Sequence, residues 1–155
     1  MGIFSKKDKT ESIIIVGCGR LGSSLADQLS SENKNVTIID INEKAFRRLP
    51  LSYGGLTVEG DGTDMDVLTS CKGKETDILI ACTDNDDINI MAAQLAKQIF
   101  KIKKVIVRIQ DHSKQVTYAD LGIESICPAL LSIREFERII AKEIPPSDES
   151  AKENK

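Results

Sequence analysis

The chain has 155 residues, 41% of them apolar and 29% charged, and a formal net charge of −3. This is ordinary globular composition, with enough length for one domain and a sizeable core. The acidic balance argues against nucleic acid as the main partner. No apolar run reaches the length of a membrane span, and the polar start MGIFSKKDKTES lacks the apolar stretch of a signal peptide.

Residues 1–11 read as a disordered segment and the domain as 12–144. The first strand, Ile13–Val16, runs into Gly17-Cys18-Gly19-Arg20-Leu21-Gly22. A helical pattern follows, and then a second apolar strand, Val36–Ile39, ending on Asp40. Strand, glycine turn, helix, strand and acid in this order form the dinucleotide-binding fingerprint in the context it requires. Gly17 permits the turn, Gly19 lets the backbone approach a pyrophosphate, and Gly22 lets the helix lie close to the sheet. The free N–H groups and positive dipole end of that helix would then face phosphates. Asp40, 18 residues after Gly22, is placed to accept hydrogen bonds from ribose hydroxyls.

Further along, Asn42 is positioned to cap a short helix, Glu43–Leu49. Leu56–Glu59 is a third strand, turned by Gly60-Asp61-Gly62, and Thr63 with Asp66 suggests a capping box. Asp77–Ala81 is the fourth strand, followed by a helix near Asp86–Phe100. Lys104–Arg108 is the fifth. A short helix, His112–Asp120, is closed by Gly122 and leads to a sixth strand, Ile123–Cys127. The last helix spans about Ala129–Ile144, with Ile133, Phe136, Ile140 and Ile144 on one side, and 145–155 is a polar tail. Part of that apolar stripe is expected to cover the sheet. Six alternating strands predict an α/β fold, a doubly wound parallel Rossmann-type sheet, and the uninterrupted apolar strands fit a sheet covered on both faces.

Ligands on such sheets bind beyond the carboxyl ends of the strands. The residues there are the Gly17–Gly22 loop, Asp40, Asp61 and Gly62, the run Thr83-Asp84-Asn85-Asp86-Asp87, and Arg108. Arg20 is able to pair with a phosphate or simply to face solvent. Thr83 and its acidic neighbours can cap the long helix, and Thr83 can also reach the distal half of a nucleotide. Arg108 points towards the same cleft, as a ligand contact or as half of an ion pair. The four cysteines show no metal-ligand spacing, and Cys18 is either a small loop residue or a thiol activated by the helix N-terminus. The only histidine, His112, starts a helix, and no nucleophile motif is present. The pattern is that of a protein that binds a nucleotide without transforming it.

The segments GCGRLG, VTIIDIN, VEGDGTDMDVL, ILIACTDNDDINIMAAQLAK, VIVRIQD and LGIESICPALL resemble the TrkA N-terminal domain. This family, also called the RCK or KTN domain, comprises nucleotide-binding regulators of potassium transporters and channels. The likeness covers roughly residues 12–144, and the strand-four segment with Asn89 is its most specific part. The resemblance implies strand order 3-2-1-4-5-6 and NAD(H) or ATP/ADP in the cleft. It also implies a homodimer that builds into a ring, and a cytoplasmic protein peripheral to the membrane through its potassium transporter or channel partner. Carried over by residue, the phosphate loop is Gly17, Cys18, Gly19, Arg20, Leu21 and Gly22, and the ribose acid is Asp40. Asp61 and Gly62 lie on the adenine side, and Thr83, Asp84 and Arg108 supply the strand-four and strand-five contacts. Many members continue into a C-terminal lobe that binds a second ligand, whereas this chain ends soon after its last helix. Two other functions fit the fingerprint: a small NAD-dependent oxidoreductase, and a redox-sensing module acting through Cys18.

Overall fold

The computed structural model describes residues 10–114 and 118–143. The centre of the expected 112–120 helix, most of the N-terminal segment, and Ile144 with the tail lie outside them.

Six strands form one parallel sheet, in the order β3-β2-β1-β4-β5-β6. They are β1 (Ser12–Val16), β2 (Asn35–Asp40), β3 (Leu56–Glu59), β4 (Ile78–Ala81), β5 (Lys104–Arg108) and β6 (Glu124–Ile126). β1 pairs with β2 and β4 at once, Ile15 lying opposite both Ile38 and Ile80. The chain order therefore reverses at β1, and the turns after β1 and β4 open the switch-point crevice.

Alternate residues of each strand feed two cores. Ile13, Ile15, Val36 and Ile38 pack beneath helix α1 (Arg20–Ser31) with Ala26 and Ala45. Ile14, Val16, Ile39, Leu79, Val105 and Val107 pack on the other face, with Leu68 from α2 (Met65–Ser70) and Ile90 from α3 (Asp86–Gln98). Ala92, Ala93 and Ala96 are wholly buried, so α3 lies close on β4 and β5. Both faces of the sheet are covered, which explains the unbroken apolar strands.

Local differences from the expected elements have identifiable causes. Residues Glu43–Arg48 form a 3₁₀ helix, capped as expected by Asn42, whose side chain accepts from Lys44 N. The box at Thr63 and Asp66 does not form. Asp64 stands one residue nearer the helix and its Oδ1 takes the Asp66 amide at 2.8 Å. Thr63 instead gives both its N–H and its hydroxyl to Asp61 Oδ1, at 2.8 and 2.7 Å. Glu11, placed before the domain on sequence, already joins it, its carbonyl accepting from Asn35 N at 2.9 Å. The last helix, α4 (Pro128–Glu143), departs most. Every residue from Leu131 to Lys142 is exposed, including Phe136 at 66% and Ile140 at 56%. Its stripe does not cover this chain's own sheet.

Candidate functional site

The glycine loop follows from backbone geometry. Gly17 has φ +104°, and a Cβ there would lie 2.9 Å from Thr83 N. A Cβ on Gly22 would lie 1.9 Å from the Gly17 carbonyl oxygen. These two glycines hold the turns of β1 and β4 together. Gly19 differs: it is the N-cap of α1, and a Cβ there meets nothing within 4 Å. No side chain caps α1 and its first turn carries no acid. By contrast, Asp64 caps α2 and Asn85 caps α3. The first N–H groups of α1 thus stand at the switch point without a side-chain acceptor, beside the positive end of the helix dipole.

Asp40 braces this loop from the end of β2. Its Oδ2 accepts from Cys18 N at 2.7 Å and its Oδ1 from Asn42 N at 2.8 Å. A carboxylate has about four lone-pair sites, so acceptor capacity remains for hydroxyl donors. Between these turns lies a cleft of about 160 Å³, lined by Val16, Gly17, Ile39, Asp40, Ile41, Gly60, Asp61, Gly62, Thr83 and Ile88. Five of the twelve residues expected at the site (Gly17, Asp40, Asp61, Gly62 and Thr83) line it. Arg20 and Leu21 are exposed on the first turn of α1, and Gly22 is buried under the loop. The hydrogen bonds from Thr63 hold the Asp61 carboxyl below its usual range.

Cys18 turns its side chain into the core. It is wholly buried and its Sγ donates to Ala45 O at 3.5 Å. Burial, reinforced by the Asp40 charge, pushes this thiol up to about 11. This is opposite to the depression that helix activation would bring, so the redox-sensing expectation loses its physical basis. Only the Cys18 backbone faces the loop.

Asp84 and Arg108 stand behind Thr83 rather than among the lining residues. Arg108 donates from Nη1 to Asp84 Oδ1 at 2.9 Å, forming the ion pair that was one of its two expected roles. Its buried Nε has no hydrogen-bond partner, leaving donor capacity on the guanidinium.

The residue that organises this half of the cleft lies in the segment that the resemblance marks as most specific, but it was not among the expected site residues. Asn89, on α3, is wholly buried. Its Oδ1 accepts from Thr83 N at 2.8 Å and Thr83 Oγ1 at 2.7 Å, while its Nδ2 donates to Thr83 O at 3.0 Å and Arg108 O at 2.9 Å. One amide thereby ties the end of β4 to the end of β5. Asp86 adds a second tie, its carboxylate accepting from Gln110 N and Asp111 N at 2.9 and 3.1 Å. Ile41 and Ile88 were also missed. Both are exposed apolar side chains at the cleft, and the only signal was an isoleucine inside an otherwise polar turn. Another depression, of about 760 Å³, lies at the opposite end of β1–β3, beside Ser12, Lys34, Asn35 and Leu56, and holds none of the expected residues.

Residues 13–128 match the family described as the TrkA-N domain. The chain belongs to this family. It is 39% identical over 114 residues to the Trk system potassium uptake protein TrkA of Streptomyces coelicolor, covering 74% of this chain and 51% of that protein. It spans about half the length of that relative. Among solved structures it resembles the TrkA-N domain of the inner membrane protein ybaL from Escherichia coli. The TM-score is 0.72 at 17% identity, covering 89% of this chain and 99% of that one. It also resembles the GsuK channel bound to NAD, with TM-score 0.65 at 20% identity over 79% of this chain and 22% of that one. The same channel bound to ADP matches with TM-score 0.65 at 19% identity, over 77% and 32%. At these identities the structural likeness establishes the Rossmann-type fold and its strand order. No described helix is long and apolar enough to cross a membrane.

Proposed function

We propose that this chain is the nucleotide-sensing part of a regulatory subunit of a potassium transporter or channel. It binds NAD(H) or ATP/ADP at the switch-point cleft and works on the cytoplasmic side of the membrane through its pore-forming partner. Family membership and the names of the relatives support the potassium-transport context. The observation that carries nucleotide binding is the first turn of α1, where main-chain N–H groups lack a side-chain cap beside an acid poised for ribose. The adenosine end lies between Ile41, Asp40 and Asp61, and the phosphates lie over Gly19 and Arg20. Whatever extends beyond them reaches Thr83 and the Arg108 guanidinium.

Only that distal half can distinguish one ligand from another, so it sets the conformation. Asn89 and Asp86 relay a displacement of Thr83 to the ends of β5 and β6, and thence to α4. The exposed stripe of α4 supports a homodimer, which builds into a ring. A ligand shifts such an assembly only through differential affinity for its states. Calorimetry with NAD, NADH, ATP, ADP and AMP tests the first step. Micromolar binding of at least one is expected, and failure of all five overturns the reading. Potassium flux with the pore partner present tests the second.

A further inference from the structure

Acids and bases occur at both ends of the strands, Arg20, Lys44, Arg47, Arg48 and Lys114 lying at the carboxyl end, but five lysines gather at the amino ends of β4 and β5. Asp40, Asp61, Asp64, Asp84, Asp86 and Asp111 all follow the carboxyl ends of strands. Lys72 and Lys74 precede β4, while Lys101, Lys103 and Lys104 stand at the amino end of β5. The two lysine groups are neighbours. Ile78 pairs with Lys104 across the sheet, and a Cβ on Gly73 would lie 2.7 Å from the Phe100 ring. All five lysines are exposed, and among the described residues none forms an ion pair. Acids stand at the same end of the strands: Glu75; Asp77, whose Oδ2 accepts from Ser12 N; Glu124 at the start of β6; and Glu11, which pairs with Lys34. Lys72 and Lys101 both have φ 57°, a left-handed backbone that ordinarily selects glycine. Around Lys72, Lys74, Lys101, Lys103 and Lys104 positive charge locally exceeds that of Glu75 and Asp77, within a chain of net charge −3.

We propose that this lysine end docks on the anionic lipid headgroups of the membrane, with the nucleotide cleft facing away from the bilayer. The proposal rests on the proposed function only for placing the protein beside a membrane. Three features favour a lipid surface. The patch has lysines but no arginine, and lysine is a hydrated point charge suited to a diffuse anionic plane rather than to forked recognition of one phosphate. It has no exposed aromatic ring on which nucleic acid bases would stack, Phe100 being 5% exposed. The cytoplasmic loops of membrane proteins are themselves enriched in Lys and Arg, so they repel this end while the lipids between them attract it. The lysines stand at the amino ends of β4 and β5 and the cleft beyond the carboxyl ends, so docking through them turns the cleft away from the bilayer.

Vesicle flotation of the whole chain tests this, using phosphatidylcholine mixed with phosphatidylglycerol against phosphatidylcholine alone. Binding only to the anionic vesicles, lost at high salt, is expected. Each lysine near such a surface is worth about fivefold in partitioning. The triple variant Lys101→Glu, Lys103→Glu, Lys104→Glu should lose more than about a hundredfold, and Lys72→Gln with Lys74→Gln about twenty-fivefold. The corresponding Lys→Arg triple should bind like wild type. Equal binding to neutral vesicles, or full binding by the Glu triple, overturns the proposal. Duplex DNA bound as tightly at the same salt would reassign the patch to nucleic acid. Salt-sensitive self-association without lipid would reassign it to the acidic end of a second copy. Nucleotide affinity is read separately, so failure of the cleft and failure of the patch are distinguishable.

Discussion

Gly19 and Gly22 share one motif but carry different burdens. A methyl group at Gly19 enters open space, whereas at Gly22 it collides with the Gly17 carbonyl. Gly19→Ala should change stability by less than about 1 kcal/mol, the scale of an N-cap exchange. Nucleotide affinity should fall tenfold or more, as the methyl occupies the phosphate approach. Thermal melts and calorimetry on the same sample check the separation, and equal losses in both would mean that Gly19 is structural. Asp40 makes a different prediction. Its carboxylate should favour NADH over NADPH, whose 2′-phosphate meets a like charge. Asp40→Ala should cost on the order of 1.5–3 kcal/mol of binding, the range for hydrogen bonds to a charged group. Equal affinities for the two cofactors would remove Asp40 from the ribose site. Gly19 and Asp40 were legible as candidate site residues because the glycine fingerprint fixes where both fall, at the start of α1 and the end of β2. Asn89 was not. The resemblance set its segment apart without giving it a role, and its place in the site depends on the Thr83 and Arg108 carbonyls that only the assembled sheet brings together.

Among elements, β5 falls at the residues the periodicity indicates, because a central parallel strand writes its length as an apolar run; β3, an exposed edge strand, is set instead by the turn at Gly60–Gly62. α4 shows where that logic ends. Its spacing of apolar residues revealed an apolar face, and the expectation that part of it covers the sheet is not met. Ile133, Phe136 and Ile140 are 50%, 66% and 56% exposed, so the stripe is unmet within one chain. Arg138 and Glu135, which pair with each other, flank it. If a second copy covers the stripe, Phe136→Asp should weaken self-association by at least 2 kcal/mol, about thirtyfold. Sedimentation equilibrium should then show a dimer for the parent chain and mainly monomer for the variant. A parent chain that sediments as a monomer at micromolar concentration excludes the interface.

For the whole molecule, stability should fall in alkali. Burial pushes Cys18 up to about 11 and Cys82 up to about 12, from an ordinary 9.0. Below pH 9 both states keep these protons and the contribution is fully present. Above 9 the unfolded chain releases protons that the native chain retains, so unfolding becomes easier as pH rises. Tm should be lower at pH 10 than at pH 8, and Cys18→Ala should flatten the slope. An unchanged slope would place the titrating groups elsewhere. Stability should also depend on anions, through the uncapped first turn of α1. Phosphate or sulfate that settles on those N–H groups binds only the native state, and adds RT ln(1 + [L]/Kd) to the unfolding free energy. Melting temperatures of this protein are therefore properties of protein and buffer together. A preparation compared between phosphate and Tris would report a ligand under the guise of a solvent.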